Sequence, residues 1–341
     1  MKLFNKMQKR VDTFDFVKNS KKVILGSATI LFIGLILFFA IGFNLGIDFT
    51  GGTTLKVQLG SDLENDEYYR QSTDEIEQIL EDDYGLSLSV VQKEGEGSES
   101  SIMLRYQDLQ DATKPEMESI TSDLRDSLSS HFDIDLENVS EAERIGATAS
   151  ASLLLNALLA VLFATILMLI YIMIRFELVS GLGAILALIH DVGIMLSLVL
   201  VFQLEVTSAF VAALITIIGY SINDTIVVFD RVRENRNKNK YELKTNTEVA
   251  NISIRETLVR TLNTSFTTLF TISVLAILTV PAIRQFAIPI IFGLIAGTLS
   301  SVFVATPFWA YINDYTRPRK KNADPFEDAR KKKIANKRDS Q

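Results

Sequence analysis

The chain has 341 residues, of which 48% are hydrophobic and 22% charged, and its formal net charge is −7 at neutral pH. It contains no cysteine, which excludes disulfide bonds and thiolate metal sites. Such a high apolar content is unusual for a soluble protein with this many charges, and its cause is local.

Six apolar runs are each long enough, at 1.5 Å per helical residue, to cross a hydrocarbon core of roughly 30 Å. We predict one membrane-spanning helix at 23–45 and five more within 148–312. The later spans are predicted at 153–174, 178–202, 206–229, 262–280 and 286–312. A cleaved signal peptide is the alternative for the first run, but its apolar stretch exceeds the roughly 7 to 15 residues of a signal core, which favours a retained anchor.

Charge divides the chain into two populations. Residues 48–144 carry 25 acidic and 7 basic side chains, whereas the rest of the chain carries 27 basic and 16 acidic ones. The basic surplus lies in residues 1–22, in the connection 231–260 and in the tail 313–341, which fall on one side of the membrane if all six runs span it. The positive-inside rule makes that side the cytoplasm, so both termini are predicted to be cytoplasmic and the acidic segment 46–147 extracytoplasmic.

The acidic segment has the periodicity of a small α+β domain. Apolar alternation predicts strands at 53–59, 86–92 and 101–107 and a last strand that ends near Arg144, and helical periodicity predicts helices at 72–84 and 114–132. The order β-α-β-β-α-β is the ferredoxin-like arrangement. The predicted fold class is therefore an α-helical polytopic membrane protein with six transmembrane helices and one α+β ferredoxin-like extracytoplasmic domain, inserted between helices 1 and 2.

This domain offers little catalytic chemistry. His131 is its only histidine, and no second metal ligand accompanies it. No nucleophile-base pairing, phosphate loop or metal-ligand spacing is present in the domain. We interpret the acidic surface as a solvated one, with contact to basic or unfolded polypeptides as the alternative. We expect a surface role for His131 and a binding or coupling module rather than an enzyme, with no cofactor or metal.

Ionisable side chains inside the apolar runs are the candidate functional residues, because each costs about 2.5 to 3.5 kcal/mol near a bilayer centre on insertion scales. Asp224 lies in the cytoplasmic third of the fourth span, and helical spacing predicts that Asn223 points into the bundle with it. A hydrogen-bonding role without transport is the alternative for Asp224. Asp230 is expected to pair with a neighbouring arginine at the water interface.

Two further candidates lie in other spans. The pair His190 and Asp191 sits halfway along the third span; packing is favoured for His190, whereas packing and proton relay are equally open for Asp191. Arg260 is expected to open the fifth span, ahead of a stripe of threonines within 264–271. Taken alone, this arginine can extend to the cytoplasmic surface and the stripe can pack against another helix.

The connection before the fifth span carries a capping-box pattern at Thr245 and Glu248. This pattern predicts a short interfacial helix. We expect the basic residues of the connection to contact anionic lipid head groups, with contact to a translocon as the alternative.

Directly after the first span the chain reads "LGIDFTGGTTL", residues 45–55. Gly51 and Gly52 permit a tight turn where a helix gives way to a strand, and Asp48 can cap backbone amides there. By these properties alone the segment is predicted to be a structural junction.

Three separated motifs resemble the SecD/SecF family of protein-export subunits. "GIDFTGGT" resembles the junction after the first span of both branches, and "GYSINDTIVVFDRVREN" is similar to the fourth span of the SecF branch. "RFELVSGLGAILALIHDVGIM" is similar to its second loop and third span. The resemblance covers the whole chain. It implies an accessory subunit of the Sec protein translocase, related in architecture to resistance-nodulation-division exporters, that works with a SecD partner and uses the proton gradient to promote protein export.

The resemblance also implies site residues and partners. The aspartate of "SINDT" and the arginine of "LVRT" match family positions associated with proton movement, which gives that role to Asp224 and Arg260; Asn223 and Asp191 are further candidates for the same path. The implied partners are SecD, the SecYEG translocon, translocating polypeptides and lipids of the cell membrane, with YajC and a YidC-type insertase as additional candidates and no nucleic acid. The alternatives are a proton-coupled exporter of a small molecule or lipid, and a non-conducting scaffold of the translocon.

Overall fold

The computed structural model describes residues 13–95, 97–109, 113–242, 244–279 and 281–316. These residues form a bundle of long helices and an α+β domain with a four-stranded sheet. The basic residues 1–12 and 317–341, on which part of the orientation prediction rests, lie outside the described residues.

The first element, α1, spans Phe16–Ala40, and a single helical turn, Ile47–Thr50, leads from it into the α+β domain. The domain consists of β1 (Gly52–Gln58), α2 (Asp66–Gln78), β2 (Leu88–Glu94), β3 (Ser101–Tyr106), α3 (Lys114–His131) and β4 (Glu143–Ile145). The sheet order is β2-β3-β1-β4, and all neighbouring strands are antiparallel. This topology confirms the predicted ferredoxin-like arrangement.

The core of the domain forms because alternate strand residues and one face of each helix are apolar, as with Leu55 of β1 and Ile76 of α2, which are fully buried. Helix α2 begins earlier than predicted, at Asp66, because the side chain of Asn65 caps it by accepting a backbone amide. Ser72, the predicted start, is buried inside the helix instead.

The bundle after the domain consists of α4 (Ala147–Arg175), α5 (Leu178–Val201), α6 (Ser208–Arg236), α7 (Asn246–Leu278), α8 (Pro281–Ser300) and α9 (Thr306–Thr316). Six helical segments of the described chain are long and apolar enough to cross a membrane, the last of them made of α8 and α9 joined by a π-helical turn. Helices α5, α6 and α8 form the buried centre, whereas α1 and α4 expose most of their apolar side chains. Such exposure suits a surface that faces lipid.

Helix α7 corrects one expectation from the sequence. The capping box of Thr245 and Glu248 is present, but the helix that it starts continues to Leu278 without a break. Neither glycine nor proline interrupts this stretch, so nothing in the local sequence ends the helix at the membrane surface. Arg260 therefore lies in the middle of one long helix, about 21 Å from its start, and does not open a separate span.

Candidate functional site

Asp224 lies on α6 where that helix faces α7 and α8, and its side chain is buried. Ser265 of α7 donates a hydrogen bond to Asp224 Oδ2 over 3.1 Å. Thr298 of α8 lies 2.8 Å from the hydroxyl of Ser265. Two rotatable hydroxyls on neighbouring helices thus form a chain that ends on the carboxylate.

Arg260 of α7 is close enough to Asp224 for their charges to interact. Its side chain is exposed, and no ion pair or hydrogen bond to its guanidinium is found within the described part of the chain. Asn223 and Tyr220 of α6 are also exposed, and the Tyr220 hydroxyl lies 2.9 Å from Thr268 Oγ1. The expectation that Asn223 points inward beside Asp224 is wrong, because successive residues of a helix are turned by about 100° from one another.

Asp191 of α5 forms a second buried carboxylate site. Its Oδ2 accepts hydrogen bonds from Ser221 of α6 and from Ser300 of α8, the latter over 2.7 Å. Its Oδ1 lies 2.9 Å from His190 Nδ1. This carboxylate joins the three central helices, as a packing role requires.

A small cavity lies between the two carboxylate sites. Its volume is about 10 Å³, close to the smallest space that holds one water molecule. Asp224, Ser221 and Gly297 are among its lining residues. Gly297 lets α8 approach α6 closely, since a Cβ there would lie 3.3 Å from Ser221 Cα. Ser221 lines this cavity and also donates to Asp191, so its hydroxyl lies at both the cavity and the second carboxylate site.

Asp230 lies at the end of the membrane-spanning part of α6. Arg175 donates to both of its carboxylate oxygens, at 3.0 and 2.9 Å, and Arg233 pairs with it at 3.2 Å. The predicted pairing with a neighbouring arginine is confirmed. Arg175 is the last residue of α4, a partner that local sequence does not indicate.

The α+β domain carries a titratable pair on its surface. His131 Nε2 lies 3.1 Å from Glu75 Oε2, which confirms the predicted surface role of His131. The pKa of Glu75 lies below its usual value because Gln71, and then His131, hydrogen-bond to its charged form. In the part of the chain that the structure describes, no group of three or more metal-ligating side chains is placed to hold an ion.

The junction after α1 is held against the outer loop between α5 and α6. Leu45 and Val206 form a parallel β-bridge. Asp48 Oδ2 accepts a hydrogen bond of 2.7 Å from the backbone amide of Ser208, the first residue of α6. Asp48 thus caps a backbone amide, as its position suggests, but the amide belongs to a distant helix whose positive end it also neutralises.

Gly51 and Gly52 have positive φ angles of 73° and 115°. A Cβ on Gly52 would lie 2.7 Å from the carbonyl oxygen of Tyr106 on β3. Glycine is therefore required where the chain enters the sheet, because any side chain would displace the neighbouring strand.

A buried ion pair ties the α+β domain to the loop between α5 and α6. Arg105 of β3 pairs with Glu205, and their side chains are only 5% and 8% exposed. Gln285 of α8 donates to Glu205 Oε2 over 2.8 Å, and Arg105 donates to Leu45 O over 3.2 Å. Burial lowers the pKa of Arg105 from its ordinary value, while the charge of Asp48 acts in the opposite sense.

We refer to Arg105, Glu205 and Gln285 as the outer clamp. Local sequence does not predict this clamp, because 100 residues separate the paired side chains. Two signals were present: Arg105 interrupts the apolar strand "SIMLRY", and Glu205 is the one acidic residue in the short stretch between the third and fourth spans. Neither signal indicates that Arg105 and Glu205 pair with each other.

Comparison with known proteins assigns this architecture to a class. The family model "Protein export membrane protein SecD/SecF, C-terminal" matches residues 125–315, which include both buried carboxylates. The model "SecD/SecF GG Motif" matches residues 36–62, which include the glycine pair of the junction. The chain therefore belongs to the SecD/SecF family of protein-export membrane proteins, and it is a multi-pass membrane protein.

The similar proteins include SecF subunits along nearly their whole length. The protein translocase subunit SecF of Calditerrivibrio nitroreducens is 35% identical over 309 residues, which cover 90% of this chain and 96% of the relative. SecF of Rickettsia bellii is 36% identical over 300 residues, or 86% and 91% of the two chains. The crystal structure of SecDF, a translocon-associated membrane protein from Thermus thermophilus, matches with a TM-score of 0.72 and 31% identity. That match covers 89% of this chain and 39% of the SecDF chain, so this chain spans about two fifths of that length.

Proposed function

We propose that this chain is an accessory subunit of the Sec protein translocase that works with a SecD partner and uses the proton gradient to promote protein export. The observation that carries the proposal is Asp224, a carboxylate buried inside the membrane bundle that accepts from Ser265 of α7, which in turn accepts from Thr298 of α8. Asp224 also lies within electrostatic range of Arg260. An ionisable group at such a place is energetically costly, and such groups in membrane spans commonly have a function.

The proton step is assigned to Asp224 and Arg260. Asp191 is a further candidate for the same path in addition to its packing role, and the exposed Asn223 is a candidate only at the outer surface of α6. Burial and a nearby guanidinium act on a carboxylate in opposite senses, so a small change in helix spacing or water access switches Asp224 between its protonated and ionised forms. The hydroxyls of α7 and α8 supply a relay, and the small cavity extends it towards Asp191. Proton uptake from outside and release inside then bias a two-state movement of the helices.

The junction and the outer clamp support a coupling route to the external domain. Helix α6 carries Asp224 within the membrane, and Asp48 of the junction caps the outer end of the same helix. Glu205, which precedes α6, pairs with Arg105 of the domain's sheet. A displacement of α6 therefore acts on the external domain through two independent contacts, and in this proposal the domain contacts the translocating polypeptide.

The exposed polar surface of α6 and α7 supports a protein partner inside the membrane. Arg260, Asn223 and Tyr220 are exposed at a depth where lipid offers no hydrogen-bond partner. In this proposal, acidic or polar groups on the spans of SecD form hydrogen bonds with these side chains. The solved relative supports such a partner, because it is a SecDF chain that continues well beyond the matched part. The SecYEG translocon is a further partner, since that relative is described as translocon-associated; YajC and a YidC-type insertase rest on the family resemblance.

We assign the cytoplasm to the end of the bundle at which α1 begins and α9 ends. Among the described residues that end carries Lys18, Lys21 and Lys22 and the arginines at the end of α6. The opposite end carries the acidic domain. The positive-inside rule favours this orientation in the cell membrane.

The variant Asp224→Asn in the complete translocase tests the proposal. The amide keeps the size of the side chain and can still accept a hydrogen bond from Ser265, but it neither gains nor loses a proton near neutral pH. We expect precursor translocation in membrane vesicles to fall to the level measured without a proton gradient. Asp230→Asn, which removes a carboxylate from the interface, is the matched control and should retain the gradient-dependent rate.

Two outcomes would support the alternatives. Gradient-dependent translocation at the wild-type rate in Asp224→Asn refutes the coupling and leaves a non-conducting scaffold. Loss of small-solute efflux in the same variant, with export unaffected, would instead favour an exporter of related architecture.

A further inference from the structure

A larger cavity lies at the end of the bundle that we assign to the cytoplasm, away from both carboxylate sites. It has a volume of about 460 Å³ and lies between the α4–α5 turn, the end of α6 and α9. Its lining includes three arginines, two aromatic residues and a serine, namely Arg175, Arg233, Arg236, Phe229, Trp309 and Ser180. The proposed proton path uses none of these side chains.

The cavity has an excess of positive charge. Arg175 and Arg233 share Asp230, at 2.9 and 3.2 Å, and Arg236 pairs with Glu177 at 3.2 Å. Three guanidinium groups against two carboxylates leave a formal charge of +1. A guanidinium has five N–H donors, and within the described residues Asp230 is the one carboxylate that pairs with Arg175 and Arg233. This leaves capacity for a second oxyanion.

Helix α5 begins at this cavity and adds a feature that favours an anion. Its N-cap residue, Glu177, makes no side-chain hydrogen bond to the helix, and Ser180 of the first turn lines the cavity. Backbone amides of a first helical turn have no partner within the helix and carry a partial positive charge. The 24 residues of α5 thus direct their N-terminus towards the space that the arginines surround.

The surroundings of the cavity indicate a lipid as the source of the anion. Ile174 and Leu178 flank the α4–α5 turn and are 82% and 77% exposed, so acyl chains can lie against the bundle beside the cavity. Arginine binds phosphate oxygens through two parallel hydrogen bonds. Basic pockets between spans on the cytoplasmic side are suited to anionic head groups.

We propose that this cavity binds the phosphate of an anionic phospholipid such as phosphatidylglycerol, held by Arg175, Arg233 and Arg236. The apolar side chains of the lining contact the glycerol and the first methylene groups of the lipid. This binding does not require proton coupling, so either proposal can fail while the other stands.

Trp309 provides a direct test, because it is the only tryptophan of the chain and lines the cavity. The complete chain is placed in phosphatidylcholine nanodiscs that contain increasing fractions of phosphatidylglycerol brominated in its acyl chains. We expect quenching of the Trp309 fluorescence that saturates at a low fraction of the brominated anionic lipid. Equal quenching by phosphatidylcholine brominated at the same position overturns the proposal.

Two double variants locate the binding. Arg233→Gln with Arg236→Gln removes two guanidinium groups from the cavity, whereas Lys240→Gln with Lys244→Gln removes two charges from the same connection outside it. Loss of charge-assisted hydrogen bonds predicts at least about a tenfold higher lipid fraction for half-maximal quenching in the arginine variant. The lysine variant should behave as the wild type.

An equal effect of the two double variants overturns the site, because it shows general electrostatic attraction to the surface. Inorganic phosphate distinguishes a lipid head group from free phosphate as the ligand. Displacement of the brominated lipid by an equal concentration of inorganic phosphate overturns the lipid assignment. If the arginine variant does not fold, the comparison of the two brominated lipids on the wild-type chain still decides the question.

Discussion

At the scale of residues, Asp191 and Asp224 are two carboxylates of one bundle with different surroundings. Asp191 is fully buried and receives hydroxyl donors from two helices and a contact from His190. Asp224 has one hydroxyl donor, lines a small cavity and lies within range of the exposed Arg260. A carboxylate that is satisfied on all sides is suited to hold helices together, whereas one with a relay and an adjustable charge is suited to exchange protons.

The variant Ser300→Ala tests the packing role of Asp191, because it removes the hydroxyl of α8 that donates a hydrogen bond to this carboxylate. Interhelical hydrogen bonds in membranes contribute about 0.6 and up to roughly 1.7 kcal/mol. We therefore expect the free energy of unfolding in detergent to fall by about 1 kcal/mol. Thr271→Ala is the control, since that hydroxyl bonds within its own helix. Equal stability of the Ser300→Ala variant and the wild type would contradict a cross-helix role.

Glu75 gives the α+β domain a predictable response to acid. Its pKa is lowered from the ordinary 4.5 by hydrogen bonds from Gln71 and His131. The Glu75 carboxylate is therefore protonated less readily in the folded state than in the unfolded state. The stability from this group is complete above pH 4.5 and is lost as the pH falls through the lower folded value. We expect His131→Ala to lose less stability than the wild type on acidification through this window, measured by thermal unfolding. An unchanged acid dependence would contradict the contact.

At the scale of elements, the outer clamp joins the α+β domain to the bundle, and its variants test that connection. Arg105→Met leaves Glu205 buried without its cation, and breaking a buried pair in this way costs about 3 to 5 kcal/mol. We expect a lower unfolding midpoint and faster hydrogen exchange of the loop amides at 203–208. Lys114→Met removes one side of an exposed pair, Lys114 and Glu118, and should change little.

A second substitution makes this prediction sharper. Glu205→Gln added to Arg105→Met removes the uncompensated charge and leaves an amide that can still bond to Gln285. The double variant should recover part of the lost stability. A double variant that is as unstable as Arg105→Met alone would show that the pair does not form the clamp.

The elements also show how far local sequence determines this structure. The spans and the β-α-β-β-α-β order were predictable, because apolar runs and strand alternation are local properties of the chain. The prediction of two separate helices within α7 is wrong, because the polar first half of this helix, after the N-cap Thr245, resembles a surface helix. Its true extent agrees with the absence of glycine and proline between Asn246 and Leu278, which leaves the helix without a local stop.

At the scale of the whole molecule, the functional residues could be identified but not their partners. Asp224, Asp191 and Arg260 were conspicuous as ionisable groups in apolar runs. Their contacts with Ser265 and Ser300, and the pairing in the outer clamp, depend on which helices and domains meet in three dimensions. The glycine pair of the junction was recognisable, but the role of Asp48 at the distant α6 N-terminus was not.

The surface of the whole molecule predicts where the partner binds. The chain has no cysteine, so one introduced thiol is unique. We expect Asn223→Cys, on the exposed polar surface of α6, to crosslink to SecD in native membranes, because that surface needs polar partners. Phe163→Cys, on the apolar surface of α4, is 61% exposed in the wild type and should crosslink poorly. Equal yields from the two positions would contradict the proposed interface.

Proton movement in proteoliposomes that hold the chain together with SecD tests the central claim most directly. With an imposed pH gradient and a pH-sensitive dye in the lumen, the wild-type complex should equalise the gradient faster than protein-free liposomes do. We expect Asp224→Asn to lower this rate to the protein-free level, because the amide neither gains nor loses a proton near neutral pH, while Asp230→Asn keeps the wild-type rate. A wild-type rate in Asp224→Asn would contradict the assignment of the proton step to this carboxylate.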